Sequence, residues 1–281
     1  MIIKALVENS SCNPSLGEEH GLSLFIETNS KKILFDTGAS ALFNENAQKL
    51  GVDLKRVDLA VISHGHYDHG GGLKTFLALN PTALVYVREN AFGPFYSERA
   101  GNSYEYIGLD SSLAKETQII PTKEQLQLTE GISLFSAVWG TQYFPSGNCS
   151  LFKKEGRDYV PDDFSHEQNL VIEEDGICLL VAGCAHRGIV NILEHFYRER
   201  GNYPTHVIGG FHLFNHRTGK PESKETLSGI AHYLLNTGAR FYTCHCTGEE
   251  SFGFLRSKLG DHIEYLPGGK ILTIRKKESK K

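Results

Sequence analysis

Short apolar, β-rich runs open the chain. "MIIKALV" and "LSLFIETNSKKILFDTG" predict strands, with Asn29-Ser30 at the turn between two antiparallel ones. Ala41 to Leu50 predicts a short helix, and "VDLAVIS" a buried strand running straight into a histidine-rich loop. "GLKTFLALN" then predicts a helix and "ALVYV" a strand. From Arg88 to Glu130 the periodicity loosens into an aromatic, glycine-containing stretch, so an inserted loop or lid is expected over 88–130. Beyond it, "GISLFSAV", "NLVIEEDGICLLVAG" and "THVIGGF" are strand-like, with a tight turn at "EEDG" (Glu173 to Gly176). "IVNILEHFYRER" and "ETLSGIAHYLLNTG" space their large apolar residues as helices do. "RFYTCHC" and "HIEYLPGGKILTI" complete the strands. Two sheets sandwiched between helices accommodate this order. No Pro/Gly/Ser-rich linker divides the chain, so one domain spanning 1–281 is expected.

Composition narrows the function classes. With 40% hydrophobic and 22% charged residues, the chain has the balance of a soluble globular protein. A net charge of -4 offers no polycation to nucleic acid or to an anionic membrane. The one strongly basic run, "RKKESKK" at the end, is expected as a solvated tail. No run of 18 apolar residues predicts a membrane span, and the opening residues read as a first strand rather than a signal peptide. Six cysteines in a chain of this length do not make a disulfide scaffold, and the cytoplasm is the expected compartment.

The candidate chemistry begins at "ISHGHYDHGGG", Ile62 to Gly72. His64, His66, Asp68 and His69 follow an H-x-H-x-D-H pattern on the loop between a strand's C-terminal end and a helix, where α/β proteins place reactive groups. Imidazole and carboxylate are ligands suited to zinc, iron or manganese. If the loop continues the strand direction, His64 and His66 point one way while Asp68 and His69 turn back from the other side. One short loop would then serve two adjacent ions, and later segments must complete both. His166, Glu167, Cys184 and His186 lie in "FSHEQNLVIEEDGICLLVAGCAHRG"; His206, His212 and His216 in "THVIGGFHLFNH"; Cys244, His245 and Cys246 in "TCHC". His195, His232 and His262 read as surface or packing residues.

"FDTG", "ISHGHYDHGGG", "AGCAHRG" and "TCHCTG" together resemble the metallo-β-lactamase superfamily. "EHGLSLFIE", "GCAHRGIVNIL" and "IGGFHL" resemble its branch of 7,8-dihydropterin-6-methyl-4-(β-D-ribofuranosyl)-aminobenzene-5'-phosphate synthase-like proteins, and the likeness spans nearly the whole chain. The resemblance implies an α+β fold, the four-layer αβ/βα sandwich, with metals where the two sheets meet. It implies that His64 and His66 bind a first ion, and that Asp68, His69 and His245 bind a second. Either His166 or His186 would complete the first. Gly183-Cys184-Ala185 occupies the turn in which the family usually carries a bridging aspartate, so Cys184 either ligates through sulfur or only packs. Asp36 is expected to fix the motif loop by hydrogen bonds. His20 and His212 are expected near the pocket.

Two divalent ions, zinc first and iron or manganese after it, imply hydrolysis of a phosphate ester, phosphodiester or related bond in a small phosphorylated molecule. Asp68 and His212 are the expected catalytic residues: Asp68 to orient an ion and accept a hydrogen bond from the attacking water, His212 to assist a leaving group. The branch resemblance implies an alternative, a pterin-diphosphate-dependent transferase, for which Phe92, Phe95, Tyr96, Tyr104 and Tyr106 would stack on a planar ring or else pack on one another. A catalytically weak metal-binding protein is the remaining class.

Overall fold

The computed structural model describes residues 1–101, 103–215 and 217–275. His216, offered above as a candidate ligand, and the tail from 276 onward lie outside them.

Two seven-stranded sheets form among the described residues. The first runs β20 (Ile271–Thr273), β1 (Ile2–Val7), β2 (Ser23–Glu27), β3 (Lys32–Phe35), β4 (Leu59–Ile62), β5 (Leu84–Arg88) and β8 (Ile119–Thr122). The second runs β19 (Ile263–Tyr265), β18 (Arg240–Thr243), β15 (His206–Gly209), β14 (Ile177–Val181), β13 (Gln168–Glu174), β10 (Ile132–Ser136) and β9 (Gln125–Thr129). Each has an antiparallel half, β20 to β3 and β14 to β9, and a parallel half, β3 to β8 and β14 to β19.

Parallel neighbours need crossovers, and helices supply most of them. α1 (Leu42–Lys49), α2 (Tyr67–Gly70) and α3 (Leu73–Leu79) serve the first sheet; α4 (Ile189–Arg200), α5 (Lys224–Thr237) and α6 (Glu249–Leu259) serve the second. The Ser223 hydroxyl accepts the Thr226 N–H at 3.0 Å and so caps the first turn of α5.

The period of two explains the layers. Leu59 and Val61 of β4 meet Leu170, Ile172, Leu179 and Val181 between the sheets, while Ala60 and Ile62 turn outward onto Phe43 of α1 and Phe76 of α3. On the other side Val171, Leu180, Val207 and Phe241 pack against Ile192 and Phe196 of α4 and Leu234 of α5. Strands buried on both faces read as continuous apolar runs, which is why "LAVI" and "ICLLV" show no alternation in sequence. The result is the expected α+β sandwich of four layers. No helix among the described residues is long and apolar enough to cross a membrane.

Residues 88–130 differ from the expected loop in carrying strands. β8 and β9 extend the two main sheets. β6 (Phe95–Arg99) and β7 (Ser103–Tyr106) form a hairpin that pairs with β11 (Leu151–Glu155) and β12 (Asp158–Pro161) in a four-stranded sheet, order β12-β11-β6-β7. Just past β7 the chain is stitched to the histidine loop, Ile107 accepting the Tyr67 N–H at 2.8 Å. The hairpin tyrosines pack on their own sheet, Tyr104 stacking on Tyr159 at 3.9 Å and meeting Phe152 edge-on, and Tyr96 meeting Tyr106, whereas Phe95 turns inward against His166 at 4.0 Å. A short ribbon, β16 (Phe214–Asn215) with β17 (Lys220–Pro221), follows β15.

Candidate metal centre

Strand ends from both sheets converge at one edge of the sandwich. β3 delivers Asp36, and β4 the histidine loop. β14 delivers Gly183 to His186, β15 delivers His212, and β18 delivers His245 and Cys246. Asp36, Ala185, His212 and His245 hold positive φ angles of 59, 51, 50 and 51°. Such backbone strain in residues other than glycine persists only where surrounding contacts enforce it, and it gathers at functional sites.

The proton-bearing nitrogens of four histidines are committed to oxygen acceptors. The Asp36 carboxylate accepts the Ser63 N–H at 2.6 Å, the Ser63 hydroxyl at 2.7 Å and His69 Nδ1 at 2.7 Å. Ser63 has given its hydrogen to Asp36, so its oxygen accepts from His64 Nδ1 at 2.9 Å. Asn148 donates its amide to the His186 carbonyl at 2.8 Å, which turns its oxygen toward His186 Nδ1 at 3.0 Å. Asn9 faces His245 Nδ1 in the same way at 2.8 Å.

The Nε2 lone pairs of these four rings therefore point inward at one another. His64 and His186 Nε2 are 3.3 Å apart, and His69 and His245 Nε2 are 3.2 Å apart. Cys184 Sγ lies 3.1 Å from His69 Nε2, and Asp68 Oδ2 lies 3.2 Å from His245 Nε2. Lone pairs facing each other without a hydrogen between them repel, and a cation removes the repulsion. A metal–imidazole bond of about 2.0–2.1 Å puts tetrahedral neighbours about 3.3 Å apart, the spacing seen here. His66 Nε2 is buried without a hydrogen-bond partner. The residues present fit bound metal.

Five groupings among the described residues satisfy a common reach of 4.8 Å, including Asp68, His69, Cys184 and His245 on one side, His64, Cys184 and His186 on the other, and His66, Asp162 and His166 beside them. His64, His66 and Asp68 form a further set. Multiple buried clusters of this kind are a candidate two-metal site, and Cys184 belongs to the groupings on both sides.

Charge follows burial and these contacts. Burial drives His64 and His186 well below the usual imidazole range, and the neighbouring histidines push the same way. Burial opposes the ionised form of Asp68, but His69 and His245 hold its carboxyl well below the ordinary range. His69 is the exception. Burial works to lower it, but Asp36 and Asp68 push it up to about 9, so a proton takes the cation's place when none is bound. Burial raises the Cys184 thiol.

His166 and His186, the two expected alternatives, are treated differently by the fold. His186 faces His64 and His66, with ring centroids 4.9 Å from each. His166 has both ring nitrogens engaged: Nδ1 accepts the Gly65 N–H at 2.9 Å, and Nε2 donates to Asp162 at 3.0 Å. His20 Nε2 stands 3.4 Å from Asp68 Oδ2. Both ring nitrogens of His212 are buried with no nitrogen or oxygen partner among the described residues, beside the Cys246 sulfur.

A cavity of about 300 Å³ opens over this floor; its lining includes His20, Asp68, His186 and His212, with Tyr67 and Arg99 at the hairpin side. Buried acidic and amide side chains hold the floor from outside it. Glu8 accepts the His245 N–H at 2.6 Å, and Glu167 accepts the N–H groups of His186 and Arg187 at 2.6 and 3.1 Å. Glu167 stood among the candidate ligands, whereas Glu8, Asn9, Asn148 and Asp162 were not singled out. Nothing local marks them, since each acts on a residue distant in sequence or through an irregular loop.

Residues 16–178 match the metallo-beta-lactamase superfamily. An uncharacterized protein of Methanocaldococcus jannaschii is 30% identical over 278 residues, spanning 97% of this chain and 100% of its own length. A second protein of that organism, named 7,8-dihydropterin-6-methyl-4-(beta-D-ribofuranosyl)-aminobenzene-5'-phosphate synthase, is 27% identical over 281 residues, spanning 93% of this chain and 92% of its own. The crystal structure of a metal-dependent hydrolase of the beta-lactamase superfamily superposes with a TM-score of 0.82 at 30% identity, covering 98% of this chain and 100% of that one.

Proposed function

The chain belongs to the metallo-beta-lactamase superfamily, and from that premise we propose a metal-dependent hydrolase that cleaves a phosphate ester or phosphodiester bond in a small molecule. One observation carries the reading: inward-facing Nε2 lone pairs at the floor of a cavity whose rim presents the guanidinium of Arg99, itself paired through Nε with Glu105 at 2.6 Å. An anionic substrate suits both the rim and the floor.

In this reading His64, His66 and His186 hold one ion, Asp68, His69 and His245 hold the other, and the Cys184 sulfur faces both. Imidazole with a thiolate favours zinc, with iron next and manganese last. Two such cations, when bound, acidify water and neutralise charge developing on a phosphoryl oxygen. Asp68, kept ionised by His69 and His245, accepts a hydrogen bond from the attacking water and so orients it. His20, 3.4 Å from that carboxylate, is placed to pass the proton toward the cavity mouth. An N–H of His212 meets the leaving oxygen, and Arg99 holds a non-bridging oxygen. His166 is a positioning residue, fixing Gly65 and through it the spacing of His64 and His66. The β6–β7 hairpin serves as a wall of the cavity, and the chain acts as one domain. The exposed free thiols Cys12 and Cys149 suit the reducing cytoplasm.

The relative named as a pterin–ribofuranosyl-aminobenzene phosphate synthase supports a second reading, transfer onto a phosphorylated aromatic acceptor. Hydrolysis is preferred because the hairpin tyrosines stack on one another rather than standing free for a ring. The test is anaerobic metal analysis of purified protein, joined to a panel of phosphomonoesters and phosphodiesters. His66→Ala is expected to lose metal and activity together; full metal content in that variant overturns the assignment.

A further inference from the structure

β14, β15 and β18 are parallel neighbours, and each ends in a loop whose third residue carries a metal-binding side chain. Val181 is followed by Cys184 at that distance, Gly209 by His212 and Thr243 by Cys246. The three side chains are buried, and their ligand atoms all lie within 4.8 Å of one another. Of the three, only Cys184 has a place in the two-ion floor.

We propose that Cys184, His212 and Cys246 form a third cation site on the cavity wall, selective for a soft ion such as zinc. Two sulfurs and one imidazole make a softer donor set than the nitrogen- and oxygen-rich floor. Three protein ligands with access to the cavity match the general plan of a zinc site that keeps one position open.

Two independent features point to a ligand there. His212 is only 6% exposed, and neither ring nitrogen has a nitrogen or oxygen partner among the described residues; the polar group it meets is the Cys246 sulfur. A buried imidazole left so is costly unless something else engages it. The backbone is also built around the sulfur: a Cβ at position 210 would lie 2.5 Å from Cys246 Sγ, so only glycine lets this loop pass. Gly210 N–H donates to the Gly183 carbonyl at 2.8 Å, Phe211 N–H to the Thr247 hydroxyl at 2.9 Å, and Leu213 N–H to the Cys246 carbonyl at 3.1 Å. Those bonds lock the three loops to one another and keep His212 at its positive φ. Binding through one ring nitrogen leaves the other N–H of His212 for the leaving oxygen, so the two roles are compatible.

This site goes beyond the proposed activity; it shares Cys184 with the two-ion floor and His212 with the leaving-group role. The test is an anaerobic titration of reduced, metal-free full-length protein with cobalt(II) and then zinc, with metal counted after desalting and the thiolate-to-cobalt absorption followed. Wild type is expected to hold about three equivalents, whereas Cys246→Ser and His212→Ala hold about two, and Cys246→Ser also loses thiolate-to-cobalt intensity. Circular dichroism checks folding. His212→Ala keeps both sulfurs and carries the count on its own if Cys246→Ser does not fold. Saturation of wild type at two equivalents, unchanged in both variants, overturns this site and leaves the floor intact. A wild type that takes up no ion overturns both.

Discussion

The Nδ1 atom of His166 accepts the backbone N–H of Gly65 at 2.9 Å, across 101 residues of sequence. A backbone amide always donates, so Nδ1 is the unprotonated nitrogen and the proton sits on Nε2, facing Asp162 at 3.0 Å. His166→Ala is therefore expected to keep the wild-type metal count at saturation while binding zinc about 10–100-fold more weakly. His186→Ala is expected to lose a full equivalent. Elemental analysis across a chelator-buffered zinc series separates the two, and a missing equivalent in His166→Ala would make it a ligand.

Asp36 accepts hydrogens from three groups at once, so Asp36→Asn places an amide NH₂ or a single remaining oxygen where two acceptor atoms stood. The ring of His69 loses the partner that holds its proton on Nδ1. Zinc affinity is expected to fall about 10–100-fold, read by competition with a chromophoric chelator. Unchanged affinity would mean that the loop is held by other contacts.

A Cβ at Gly183 would lie 2.1 Å from Ser63 Oγ and 3.1 Å from His64 Nδ1. Neither atom can retreat without leaving its hydrogen bond. Gly183→Ala is expected to cost about 1–3 kcal/mol in urea unfolding and to weaken metal binding with it. A variant as stable as wild type would show that the loop shifts freely.

Removing metal leaves the neutral Nε2 atoms of His64 and His186 facing each other again. Chelation is expected to lower the melting temperature, and free zinc at about 100 times its dissociation constant to restore about 2.7 kcal/mol. Equal melting temperatures with and without a chelator would count against metal in the folded centre.

Burial first, then the Glu173 carboxylate, pushes the half-buried Cys178 thiol up to about 11. At pH 8 it is protonated, so iodoacetamide is expected to label exposed Cys12 and Cys149 well before it. Its labelling should rise with pH toward 11. Mass spectrometry of the alkylated peptides reads this directly, and equal rates at pH 8 would contradict it.

Local patterns determined much of this protein. Helix α4 falls on "IVNILEHFYRER", the turn of "EEDG" joins β13 to β14, and His64, His66, Asp68 and His69 stand together because a six-residue loop can place them nowhere else. Those features depend on neighbours a few residues away, and periodicity records such relations. Tertiary structure decided the rest. The β6–β7 hairpin was illegible because its partner β11 lies some fifty residues on and its tyrosines face one another rather than a core. His166 and His186 have the same chemistry in sequence, and only the Gly65 amide and the Asn148 oxygen distinguish them. Likewise Glu8 and Asn9, at the end of β1, reach His245 from the far end of the chain. A hydrogen bond between remote segments leaves no spacing to read, because its geometry exists only once both sheets have packed.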